Sequence, residues 1–95
     1  MRMGVYAVRD RLAMAYIGGL QLFPHDAVAV RMFGDVAAQP DSVIGAHVED
    51  HELHCLGYFE HETGLEEILN PGRVVITGEA WRASTTRAPD VPKVA

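Results

Sequence analysis

The chain has 95 residues, a single cysteine and a formal net charge of −5. That length fits one domain, and one cysteine excludes an intrachain disulfide framework and suits a reducing compartment. No apolar run approaches the roughly 20 residues of a membrane-spanning helix, the first residues lack the apolar core of a signal peptide, and the acidic balance argues against indiscriminate nucleic-acid binding.

Met3 to Arg9 alternates, with Met3, Val5 and Ala7 on one side and Tyr6 and Val8 on the other, which is a strand pattern. Arg9-Asp10-Arg11 is a polar turn, Leu12 to Ile17 a second extended segment, and Gly18-Gly19 a break. Leu20, Leu22 and Phe23 lead into the one segment that reads plainly as a helix, Phe23 to Ala38. There Ala29, Val30, Phe33, Val36 and Ala37 share a stripe of period 3.6, Pro24 suits the entry turn, and Asp26 lies near the positive helix end. Gln39-Pro40 stops it, because a residue before proline avoids the helical region. Gly34 costs about 1 kcal/mol relative to Ala inside a helix, and is tolerable where a strand packs closely.

Gln39 to Asp50 is a connection with a short helical turn at Ser42 to Ala46. Glu52 to Phe59 is a strand, with Leu53, Cys55, Gly57 and Phe59 on one face and His54, Leu56 and Tyr58 on the other. Glu60 to Gly64 is a turn, and Leu65 to Leu69 reads equally as a short strand or one helical turn. Asn70-Pro71-Gly72 is a strong turn signal, and Arg73 to Trp81 is rich in β-branched residues and reads as the last strand. The expected unit is therefore residues 1–82, followed by a flexible tail at residues 83–95. The fold class is α+β, in the order β-β-α-β-(β)-β: a small, mainly antiparallel sheet, open or partly rolled into a barrel, with one helix on a face. Free sheet edges make a homodimer the expected state.

The ordered series VYAVRDRLA, FPHDAVAVRMFGDV, QPDSVI and HVEDHELHCLGYFEHETG resembles a small non-structural protein of gokushoviruses, single-stranded-DNA phages of the Microviridae. The resemblance runs from Val5 to Trp81 and rests on Asp10, Pro24, Arg31, Phe33, Pro40, His47, Glu49, Asp50, Leu53, Gly57 and Phe59. Val48 departs from the pattern, since many relatives carry a proline there. The resemblance implies a non-structural phage protein in the host cytoplasm, described as DNA-binding or as acting in single-stranded genome synthesis alongside phage or host replication proteins. It carries over no catalytic residue.

Single-stranded DNA needs cations for phosphates and flat rings for bases. Arg2, Tyr6, Arg9, Arg11 and Tyr16 cluster in the first two strands, and Arg73, Trp81 and Arg82 flank the last. If the first and last strands are neighbours, these eight residues form one patch. The other reading is that the rings are core or dimer residues and the arginines are merely solvated.

Eight acidic residues and no Lys or Arg lie between Asp41 and Glu67 (Asp41, Glu49, Asp50, Glu52, Glu60, Glu62, Glu66, Glu67). That block is a solubilising face, or the contact surface for a basic partner protein. His47, His51, His54, His61 and Cys55 fall in the same stretch, but their spacing fits no zinc signature and His54 and Cys55 point to opposite faces. No metal, cofactor, membrane contact or enzymatic activity is expected, and nothing resembles an activated nucleophile or a phosphate loop.

Overall fold

Residues 1–87 are described by the structure, a computed structural model. β1 (Arg2–Asp10) and β2 (Ala15–Phe23) form a hairpin, followed by α1 (Asp26–Ala37), the one-turn α2 (Val43–Ala46) and a 3-10 turn at Val48–Asp50. β3 (His51–Glu60), β4 (Gly64–Thr77) and α3 (Gly78–Arg87) complete the described chain. The strands form one four-stranded antiparallel sheet in the order β2-β1-β3-β4. It is open, with β2 and β4 as edges, and does not close into a barrel.

The core lies between one sheet face and α1. Tyr6 and Val8 of β1 and Leu53 and Cys55 of β3 meet Ala29 and Phe33 of the helix. Ala29, Phe33 and Ala37 are buried at intervals of four, the inner line of the expected stripe. Phe33, Leu53 and Cys55 have no exposed surface.

Three sequence signals led elsewhere than expected. Gly18-Gly19 does not end the second strand, because the hairpin turn falls earlier, at residues 11–14. There the Asp10 carboxylate accepts from the Leu12 and Ala13 amides at 3.0 and 3.2 Å, and Met14 takes a positive φ of 57°. The glycines instead sit where the β1–β2 register slips, between Tyr6–Gln21 and Val8–Ile17, and Gly18 supplies a φ of 71°. Asn70-Pro71-Gly72 likewise lies inside β4, in the slip between Gly57–Ile68 and Cys55–Arg73, with a cis peptide bond before Pro71. Proline is accommodated there because β4 is an edge strand.

Trp81 belongs to a helix, not to the last strand. Thr77 accepts the Ala80 amide on its hydroxyl at 3.0 Å and so turns the chain from β4 into α3. α3 continues through Arg87, so it includes the first five residues, 83–87, of the segment expected to be a tail. The remainder of that segment, 88–95, lies outside the described residues. The premise that the first and last strands are neighbours is also overturned, since β3 lies between β1 and β4.

Candidate nucleic-acid interface

With β3 between the two outer contributors, the eight candidate residues fall into separate places. Arg2, Tyr6 and Arg73 come together at the start of α1, lining a cavity of about 460 Å³ with Pro24, His25, Asp26 and Tyr58. These residues meet although the first and last strands are not neighbours, and they meet around a carboxylate rather than as an exposed patch. Tyr6 is only 1% exposed and lies beneath the helix, so its ring is closed to a base. Its hydroxyl donates to Asp26 at 2.7 Å. The Arg73 guanidinium donates to both Asp26 oxygens, at 2.9 and 3.2 Å, and to the Tyr58 hydroxyl at 3.1 Å. Arg2 lies 4.2 Å from the centre of the Tyr58 ring and pairs with Glu67 and Glu66 at 3.3 and 3.6 Å.

The electrostatics follow from these contacts. Burial, then the hydrogen bond to the Asp26 carboxylate, pushes the Tyr6 phenol well above its usual value. The Arg73 guanidinium, then the Tyr6 hydroxyl, holds the Asp26 carboxyl below the usual carboxylate range. Asp26 in turn raises Arg73 further. The cluster fastens α1 to β1, β3 and β4, and both its arginines are already engaged by carboxylates.

Trp81 and Arg82 lie together on α3, beside a cavity of about 290 Å³ shared with Ala37, Ala38, Pro40, Gly45 and Thr85. Arg82 pairs with Glu49 at 2.8 Å. Trp81 packs so closely on α1 that a Cβ added at Gly34 would stand 2.6 Å from its indole nitrogen. The close packing that Gly34 implies is real, and its partner is a helix rather than a strand.

Arg9 and Tyr16 occupy the sheet face turned away from α1. They alternate with Val8 and Ile17, which pack against the helix side, and so project oppositely. They are register partners, and the Arg9 guanidinium lies 5.2 Å from the centre of the Tyr16 ring. Tyr16 is 39% exposed. Together with His54, Leu56, Ile68, Leu69, Asn70, Pro71 and Gly72 they border a depression of about 530 Å³. Among the described residues Arg9 makes no ion pair. Arg11 completes the neighbourhood, 3.7 Å from Glu52 and bonded to the Glu49 carbonyl at 3.3 Å.

A side-chain chain runs along this face. His54 lies 2.9 Å from both Tyr16 and Glu52. A carboxylate only accepts, so the His54 Nε2 proton is donated to Glu52 and, in the neutral ring, Nδ1 accepts from the Tyr16 hydroxyl. Two arginines against one glutamate leave this face locally positive on a net acidic molecule. Sequence reasoning missed His54, although its alternation with Leu53 and Cys55 already placed it opposite the core.

No curated protein and no solved structure matches this chain. The family model described as Phage ORF5 protein matches residues 3–81. That span contains β1 from Met3 onward, the other three strands, α1 and the start of α3. The chain therefore belongs to the Phage ORF5 protein family and is a bacteriophage protein.

Proposed function

We propose that the protein is a non-enzymatic accessory factor of phage DNA replication, of the gokushovirus type. It would hold single-stranded DNA on the uncovered face of its sheet and favour genome single-strand synthesis in the host cytoplasm. The observation that carries this reading is the Arg9–Tyr16 pair beside the 530 Å³ depression, a cation outside any ion pair among the described residues and next to an exposed ring. The DNA surface is narrower than the eight residues read from the sequence. Arg9, Arg11 and Tyr16 remain in it, whereas Arg2, Tyr6, Arg73, Trp81 and Arg82 do not share that face.

One ring contributes about 1–3 kcal/mol of stacking per base, and each phosphate contact on a single strand contributes about −0.7 to the slope of log K against log salt. Binding should therefore be weak and only mildly salt-dependent. Fluorescence anisotropy with labelled oligonucleotides at low salt tests it. Tyr16→Ala should weaken binding by about fivefold or more, and Arg9→Ala should flatten the salt slope by about 0.7. Absence of binding at low salt, or binding untouched by both substitutions, removes the proposal.

The second reading is a protein-interaction module whose acidic stretch, Asp41 to Glu67, engages a basic phage or host protein. It is favoured by the engagement of Arg2, Arg11, Arg73 and Arg82 with carboxylates, which leaves few cations for phosphates. Charge reversal within that stretch separates the two readings. Loss of the protein partner with DNA binding intact supports the module.

A further inference from the structure

His54 sits on the uncovered sheet face where side chains from several strands converge. Its register partners are Ala7 of β1 and Val74 of β4. Tyr16 of β2 reaches it, with the hydroxyl 2.9 Å from Nδ1 and the ring centres 5.4 Å apart. On its own strand, Glu52 Oε1 lies 2.9 Å from Nε2, while Glu52 Oε2 lies 3.7 Å from Arg11. The bulge of β4 closes on the same point, since a Cβ added at Gly72 would stand 3.1 Å from the Tyr16 hydroxyl. The His54 side chain is 8% exposed and borders the 530 Å³ depression.

Arg11, Glu52, His54 and Tyr16 thus form one line of cation, carboxylate, imidazole and phenol. Its hydrogen bonds depend on the charge of the imidazole. In the neutral ring Nδ1 has no proton and accepts from Tyr16. A protonated ring carries an N–H on both nitrogens. Nδ1 then donates, the Tyr16 oxygen accepts, and the phenolic proton turns outward. The same step adds one whole positive charge to the face. Histidine is the side-chain type that exchanges its proton between about pH 5 and 8. Of the charged groups around this line, Glu52 favours the added proton, while Arg9 of β1 and Arg11 of the hairpin turn oppose it. Tyr16 is the titratable group from β2, and β4 brings Val74, Asn70, Pro71 and Gly72, none of them charged.

We propose that His54 is a positioning residue for strand binding on this face, and that its protonation tightens the hold on single-stranded DNA. This role rests on the DNA reading of the Arg9–Tyr16 pair. Neutral His54 keeps the Tyr16 hydroxyl turned inward and leaves the arginines alone to meet phosphates. Charged His54 adds a cation beside the stacking ring and frees the hydroxyl proton for a phosphate oxygen or a base carbonyl. The accessory factor would therefore bind its strand more tightly as the surroundings acidify.

Anisotropy of a labelled oligothymidylate, whose bases take up no proton in this range, reads the effect at fixed ionic strength. Wild type and His54→Gln, which cannot take up the proton, should bind alike at about pH 8 and differ by about fivefold at about pH 5.5. Comparing the two proteins cancels the titration of the other histidines. The salt slope of wild type at the lower pH should be the steeper of the two by about 0.7. Should His54→Gln fail to fold, NMR of the wild-type rings gives the answer. By linkage, the oligonucleotide should raise the pH at which His54 takes up its proton, and raise it more than for His61, just beyond the other end of β3. Parallel pH profiles in the two proteins, or a His54 titration that the oligonucleotide leaves in place, overturns this role while the DNA reading stands. Absence of binding at both pH values overturns both.

Discussion

Asp26 does the work of three residues. The sequence places it at the positive end of α1, and that much was legible. The structure adds that it accepts the buried Tyr6 hydroxyl and both arms of the Arg73 fork. Because its folded-state pKa is lowered, its ionised form stabilises the fold above the unfolded value of about 3.9, and that contribution is lost as pH falls through the lower folded value. Asp26→Asn keeps an oxygen for Tyr6 but removes the charge. Thermal melts should show it less stable than wild type at pH 7, with the gap closing as the pH falls through the lowered folded-state value of Asp26. A gap that does not change with pH refutes the assignment. Asp26→Ala should be worse at neutral pH, by about 1–3 kcal/mol, because it leaves the Tyr6 hydroxyl buried and unpaired. Nothing in local sequence could have revealed this cluster, since its members are 20 and 47 residues apart.

Elements with strong local signals were readable and those ruled by long-range pairing were not. The α1 stripe, with Phe33 at its centre, and the alternation through Leu53 and Cys55 mark the buried faces directly. Leu65 to Leu69 could not be resolved, because a short apolar run fits either period, and pairing with β3 decides it as strand. At Gly18-Gly19 and Asn70-Gly72 the sequence marks an interruption correctly but cannot say whether the chain turns or bulges. Thr77 is a helix-start residue type, and giving it weight over the β-branched run before it would have placed Trp81 in a helix. The contact between α1 and α3 yields a sharp test. Gly34→Ala gains about 1 kcal/mol of helix propensity, yet its methyl would stand 2.6 Å from the Trp81 indole nitrogen. Overpacking costs about 1–3 kcal/mol, so the variant should be net destabilised by up to about 2 kcal/mol. Its tryptophan emission, the only one in the chain, should shift. Unchanged stability with unchanged emission contradicts the packing.

At the scale of the molecule, the decisive feature is the strand order. The α+β class and the antiparallel sheet were legible from pattern alone, but order was not, because alternation says which face a residue takes and not which strand lies beside it. With β1 inside the sheet and β4 at its edge, the proposed single patch divides, and only Arg9, Arg11 and Tyr16 keep a common exposed neighbourhood. The same order leaves β2 and β4 with unpaired edges, and Leu20 and Ile68 on them are 67% and 71% exposed. We propose that a second copy covers part of this surface. Light scattering coupled to size exclusion should then give twice the 10.4 kDa chain mass, and Leu20→Lys should halve it. A mass of one chain at high concentration refutes the pairing.

The only sulfhydryl of the chain, on Cys55, is fully enclosed against Phe33 and Leu53. Two folded copies therefore cannot be stapled by oxidation. Oxidation of that thiol has to wait until the core opens.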